Sequence, residues 1–495
     1  MTCFAWLRLH TPCAAALLLW VSTAHAEANA PSPETFEYTT PSEKNYLRAV
    51  LELEALTTVS VVWYVIDVRH GHNVDYQWPA FEQKLTGHRI GHDDNAFGTN
   101  FHGHGVGGNA YYLSARGNHL SIGESFGFAV AGATLWEVFG EIGEIVSIND
   151  LIVTPFSGIG IGKPFTQLSA FFDRQSPTTL HRVLGAAFGP IKSANDSLDG
   201  LTLRRASRAD SEWHRFAFSA GASAVRRQVQ AATRTSQARS DVRFEISERL
   251  ARLRNYDGPG EASEWFDDGN VSGMTLRAAF GSKGITDFGF ETQLVPFGYF
   301  ARSARQRSDG VHGSGIALGY SMGYHYLIHD YGGATGHTLD RAAFIQPGGA
   351  MVEYRGSLGA VSVTSRVDAS AIYGGVHPMA SDAYGARRSS LASILSHFDY
   401  YFGAGAQVET SLELRWGSLE AEGSLLERGF TCVDEHVAQS IHDTWRRFAF
   451  GLGFRVRPTW SLRLFGDDTL REGTLANARG SAHESAAGFE ARATF

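Results

Sequence analysis

Ile316-Ala317-Leu318-Gly319-Tyr320-Ser321-Met322-Gly323-Tyr324-His325-Tyr326-Leu327-Ile328 decides the fold. Every second residue from Ile316 to Ile328 is apolar or aromatic, and those between are mostly small or polar. A helix repeats every 3.6 residues and cannot produce this pattern. A strand with one apolar face does.

The same alternation recurs along the chain. Phe216, Phe218, Ala220 and Ala222 alternate with Arg215, Ala217, Ser219 and Gly221. Phe448, Phe450, Leu452, Phe454 and Val456 alternate with Arg447, Ala449, Gly451, Gly453 and Arg455. Val242 to Ser247 and Leu412 to Trp416 repeat it on a shorter scale. About 12 such segments follow residue 212, with a range of roughly 10–14. They centre near residues 217, 245, 277, 290, 321, 354, 366, 411, 422, 451, 462 and 490. Lys and Arg are scarce on the apolar faces, as hydrocarbon contact requires. The pattern predicts a transmembrane antiparallel β-barrel over residues 212–495, preceded by a small helical domain. Short turns at Gly281–Gly284, Leu358–Ala360 and Arg457–Thr459 should alternate with long polar loops at Gln293–His312 and Glu427–Thr444. Phe489, Ala491, Ala493 and Phe495 share one face at the end of the chain. This is similar to the closing strand of bacterial outer-membrane barrels, so Phe495 is expected to act as a sorting signal for the barrel-assembly machinery.

Composition agrees. The chain has 55 glycines, 12% aromatic and only 19% charged residues, and a net charge of −8 without a long basic block. That excludes a nucleic-acid partner and points to outer-membrane lipid. Residues 1–26 read as a signal peptide: Arg8, the apolar run Ala14–Val21, then Ala24-His25-Ala26. Export through the Sec pathway of a Gram-negative cell is expected. Cleavage there leaves Cys432 alone, which forbids an internal disulfide and a multi-cysteine zinc site.

Residues 27–44 read as a disordered lead-in and 45–190 as a Gly-rich helical domain, a lumen plug or a periplasmic cap. Residues 191–211 read as a linker. Helices are expected over Asn45–Val68, Gly108–Arg116 and Ser121–Ile142, and over Leu151–Lys163 with a break at Pro155. Ser147 should cap the last of these, with Asp150 in its first turn.

The chemistry-bearing residues concentrate between Phe97 and Phe165. His102 and His104 could chelate a metal ion. Glu137, Glu141 and Glu144 would share a helix face, either as a carboxylate cluster or as partners for Arg116 and Lys163. The catalytic candidates are Glu137, Glu144, Asp150, His102 and His104; no cofactor is expected. Ser157 to Lys163 lacks the first glycine of a phosphate loop, and Pro164 replaces its Ser or Thr. Gly319-Tyr320-Ser321-Met322-Gly323 matches a nucleophile-elbow string but sits mid-strand, and His325 lies about 13 Å along it.

The region resembles an uncharacterised bacterial family, domain of unknown function 3943. Phe101-His102, Gly107–Arg116 with Tyr111-Tyr112, Trp136-Glu137, Glu144, Ser147-x-Asn149-Asp150 and Gly158–Gly162 carry the resemblance. Gly103 and His104 stand where Asn-Pro is expected. A fainter similarity to helical VanZ-like proteins implies membrane contact. Neither resemblance brings an activity or catalytic residues. The expected function is structural, or a plugged or gated pore for a small solute or lipid, with helical-domain acids facing Arg215, Arg243 and Arg455. The alternative is an envelope enzyme acting on lipid or peptidoglycan through the helical domain.

Overall fold

The computed structural model describes residues 36–38, 43–64, 66, 78–141, 143–174, 178–201, 203–205, 213–230, 234–330, 339–384 and 391–495. The expected signal peptide, most of the lead-in and the end of the linker lie outside these residues.

Seven helices precede the barrel among the described residues: α1 (Tyr46–Trp63), α2 (Trp78–Leu85), α3 (His104–Gly117), α4 (Ile122–Leu135), α5 (Ile148–Arg174), α6 (Thr179–Phe188) and α7 (Pro190–Leu198). A π-helical turn, Gly98–Gly103, runs into α3, and a second, Trp136–Gly140, extends α4. α4 opens on a capping box between Ser121 and Glu124. α5 is not interrupted at Pro155 as its sequence suggested. It runs for 27 residues, about 40 Å. Packing overrides the breaker, because α5 is clamped between α3 and the barrel wall. A Cβ on Gly158 would lie 2.6 Å from the Gly108 carbonyl oxygen, and one on Gly160 would lie 3.3 Å from the Gly323 carbonyl carbon. The expected linker begins instead as α7, with Pro190 at its first turn.

The strands are β1 (Trp213–Gln230), β2 (Arg234–Ala251), β3 (Gly260–Phe266), β4 (Val271–Gly281), β5 (Gly284–Val295), β6 (Gly298–Arg307), β7 (Gly310–Asp330), β8 (Leu339–Gly359), β9 (Val361–Val376), β10 (Tyr401–Trp416), β11 (Leu419–Cys432), β12 (Ile441–Arg457), β13 (Trp460–Leu475) and β14 (Ala478–Thr494). Twelve of them, all but β3 and β6, form a closed antiparallel ring. β14 returns to β1, and β7 pairs with β8 to complete the circuit. Each of the twelve sequence-derived centres falls inside a different strand of this ring. The expected loop Gln293–His312 is mostly strand. Pro296 interrupts the run, β5 pairs with the second half of β7, and β6 pairs with the first half and with β3.

The alternation sorts side chains to two sides of the wall. Outward, Leu412, Phe450, Leu464 and Phe489 are 44–65% exposed. Inward, charged side chains pair: Arg215 with Glu413 at 2.6 Å and His329 with Glu484 at 3.2 Å cross the lumen, and His329 with Asp287 at 3.0 Å and His325 with Glu291 at 2.9 Å join neighbouring strands. They enclose a cavity of about 560 Å³.

The helices do not enter this lumen. α5 meets outward-facing residues: Ile161 packs on Tyr324 and Ile345, and Phe171 and Phe172 pack on Phe216. The expected pairing of helical acids with lumen arginines is therefore absent. Arg215 takes Glu413, Arg455 takes Glu420, and Arg243 lies over the Phe465 ring.

Candidate metal centre in the helical module

Three elements converge near the β9–β10 end of the barrel: the start of α3, the π-helical turn after α4, and the start of α5. Short strands Ile90–Gly91 and Val146–Ser147 pair in parallel and tie the segments together. Ser147 caps α5 as the sequence suggested, with its hydroxyl accepting from the Asp150 N–H. Its own N–H donates to Glu137 Oε2 at 2.8 Å.

At the convergence, His104, Glu137 and Asp150 bring one ligand-type atom each to within 4.8 Å of one another. His104 Nε2 is 3.4 Å from Asp150 Oδ2. Tetrahedral ligands at about 2.0–2.1 Å from a zinc ion stand about 3.3 Å apart, so this edge already has a metal-site length. Thr154 holds the other ring nitrogen, Nδ1, at 3.1 Å. A second partner of this kind orients metal-binding histidines. Glu137 and Asp150 are fully buried, yet among the described residues Glu137 Oε1 has no hydrogen-bond partner and Asp150 Oδ2 has only the His104 ring near it. Burial pushes both carboxyls above their ordinary range, and it pushes the His104 imidazole down. Left alone, the trio favours its uncharged forms; a bound cation would reverse that preference for the two carboxyls and keep the imidazole neutral.

A buried amide lattice surrounds the trio. Asn149 donates to Asp150 at 3.0 Å and to Asp93 at 3.2 Å. Asp93 also accepts from Asn95 at 2.7 Å and from Asn100 at 2.5 Å. Asn100 reaches Tyr400 of the β9–β10 connection at 3.0 Å, which fixes the centre to the barrel. Nearby, His92 bonds the Glu435 carboxylate at 2.5 Å and the Tyr373 hydroxyl at 3.0 Å. Burial opposes the Glu435 charge, but His92 outweighs it and holds the carboxyl down at about 2.

Of the sequence candidates, the fold joins His104, Glu137 and Asp150 and leaves two aside. His102 lies against Tyr326, with ring centroids 6.3 Å apart. Glu144 accepts from the Tyr64 hydroxyl beyond the end of the helix. Arg116 and Lys163 pair with Asp268, at 3.7 and 3.3 Å, not with the glutamates. Sequence reasoning missed Asp93, Asn100 and Thr154. Their signal was the run Asp93-Asp94-Asn95 and lone polar residues in an otherwise apolar, glycine-rich stretch. Ser321 of the nucleophile-elbow string bonds Asp368 inside the lumen, and His325 is committed to Glu291.

Among curated proteins no match is found. The barrel resembles solved outer-membrane structures. A Pseudomonas aeruginosa FadL homologue is 8% identical, with 57% of this chain and 90% of that one covered and a TM-score of 0.25. The NanC porin is 9% identical, with 54% and 98% covered and a TM-score of 0.22. The translocator domain of the autotransporter NalP from Neisseria meningitidis is 9% identical, with 56% and 87% covered and a TM-score of 0.20. At these scores the architecture rests on this chain's own strand pairing. Residues 89–191, which supply all three members of the centre, match the family described as Domain of unknown function (DUF3943).

Proposed function

We propose that this is an outer-membrane barrel whose lumen is a closed scaffold and whose working part is a divalent-cation centre in the helical module. The carrying observation is the trio His104, Glu137 and Asp150, with Glu137 Oε1 buried without a hydrogen-bond partner among the described residues and Asp150 Oδ2 facing His104. One imidazole and two carboxylates suit Zn²⁺, Mn²⁺ or Fe²⁺. Three protein ligands leave a coordination position open, as catalytic zinc sites do, whereas structural sites fill all four. A water in that position would become acidic enough to attack an ester, amide or phosphoester. This favours the envelope-enzyme reading over a pore, and the ion pairs that cross the lumen favour it too. Export through the Sec pathway and recognition of Phe495 by the assembly machinery belong to the same proposal. In support, Phe495 exchanges two backbone hydrogen bonds with Phe216 where β14 meets β1.

Metal analysis of the full-length protein in detergent tests the centre, after equilibration with each ion and removal of the excess. One equivalent should be retained, and Glu137→Gln or Asp150→Asn should each lower retention at least tenfold without changing gel mobility. Equal, negligible retention by wild type and both variants would remove the centre. If metal is retained, lipid and cell-wall profiles of cells carrying Glu137→Gln decide whether it is catalytic.

A further inference from the structure

We infer that the helical module lies within the bilayer beside the barrel, its outer face covered by lipid acyl chains. The inference does not depend on metal binding.

The first observation is the inverted polarity of α1. Its exposed face carries Leu47 (71% exposed), Leu51 (60%), Val59 (68%), Val62 (52%) and Trp63 (55%), with Glu54 its single charged residue. Glu54 and Thr58 apart, its polar side chains are engaged within the module. Arg48 bonds Asn118 and Asp199, Glu52 accepts from Asn118, and Thr57 and Ser60 bond their own helix backbone. A surface helix facing water has the opposite arrangement. α4 agrees, since Gly123, Gly127, Val130, Ala131 and Thr134 form its exposed face without a charge.

The second observation is height. α5 lies along the outer wall over much of the barrel's length. At one end Val153 packs with Val376 and Tyr400, and at the other Phe171 packs with Phe216, next to Phe495. α1 and α4 pack on α3 and α5, through Leu53, Tyr111, Ala129 and Ile159. They therefore stand at the level of the barrel's outward apolar band, which lipid must cover. Apart from Glu54 and Arg182, the exposed acids and lysine of the module lie toward the start of α1 (Glu43, Lys44, Asp199) or in the segment after it (Glu82, Asp94). No described helix is long and apolar enough to cross a membrane by itself. The helices instead rest on the wall through small residues, as lipid-embedded helices pack.

The test is spin labelling of the full chain in phosphatidylethanolamine–phosphatidylglycerol vesicles, with Cys3, Cys13 and Cys432 replaced by serine. Labels go at Leu51→Cys, Val59→Cys and Val130→Cys. Leu462→Cys on the barrel wall serves as the lipid reference and Ala438→Cys in the β11–β12 loop as the aqueous one. Heat-modifiable gel mobility confirms that each variant is folded. The module labels should collide with oxygen and exclude a nickel chelate, as the Leu462 label does. Nickel accessibility equal to that at Ala438 would overturn the inference. So would exclusion of both reagents with spin–spin broadening, which would mean that a second copy covers the face.

Discussion

Replacing Gly108 by alanine tests both the helix packing and the site that depends on it. A Cβ there would lie 1.9 Å from the Thr154 carbonyl oxygen and 2.8 Å from its carbon. An ordinary carbon–oxygen contact is about 3.3 Å, so α3 and α5 must part by about 1.4 Å. A helix carbonyl cannot swing aside, so the cost falls at the upper end of overpacking, about 3 kcal/mol. Alanine returns about 1 kcal/mol through helix propensity. The net loss is about 2 kcal/mol, or roughly 30-fold in the ratio of docked to undocked module. Gly107→Ala is the control, because a Cβ there meets nothing within 4 Å. It gains the same propensity without the clash. Pulse proteolysis across a urea series, following the helical half separately from the barrel, reads the difference. The Gly108→Ala midpoint should fall by about 1 M, and Gly107→Ala should hold or rise. His104 lies one turn before Gly108 on the same face of α3, so metal retention should fall in Gly108→Ala alone. Equal midpoints for the two variants would refute the packing argument.

Two further outcomes follow from the connection between β9 and β10. Arg471 is fully buried between Asp340 (3.3 Å) and Asp443 (2.5 Å), donates to the His377 carbonyl and lies 3.4 Å from the Trp445 ring centroid. Arg471→Ala leaves buried Asp443 without its cation and Asp340 with His377 alone, and should cost about 3–5 kcal/mol, seen as a lower temperature for the gel-mobility shift; an unchanged shift would contradict it. His377 stands 3.5 Å from Asp340 and 3.2 Å from Asp399; burial alone would lower its pKa, but the two carboxylates outweigh it and hold it at about 9. A raised pKa means the charged form stabilises the fold, fully so below the unfolded value near 6.5, and the contribution is lost as pH climbs through 9. Protease clipping within residues 377–400 should therefore rise between pH 7 and pH 10, and His377→Gln should clip at both; a wild-type rate flat in pH would count against the ion pair.

The barrel was legible because each strand carries its own period-two pattern, which needs no knowledge of the neighbours. The break at Pro296 was not, since β6 continues the pairing only because β3 and β7 lie alongside it. The candidate site was half legible for a similar reason. Glu137, Glu141 and Glu144 share a face on an ideal α-helix, but residues 136–140 form a π-helical turn and the helix ends there. The wider turn breaks the i, i+4 alignment. Glu137 accepts from the Ser147 N–H and stands within 4.8 Å of His104, while Glu144 accepts from Tyr64. Spacing within one helix therefore misassigned the group. The histidine that joins Glu137 and Asp150 lies 33 positions before Glu137, on a helix that the glycines at 108 and 158 bring close to the start of α5. The placement of the module was hidden by a different ambiguity. An apolar stripe such as Leu47, Leu51, Val59 and Val62 reads identically whether it faces a protein core or lipid. What separates the two cases is the other face, because water would draw Arg48, Glu52 and Ser60 outward. Here they turn inward to Asn118, Asp199 and the helix backbone. An aqueous plug would thus have to expose its most apolar residues and bury its most polar ones, whereas on the outer wall of a barrel both choices lower the free energy.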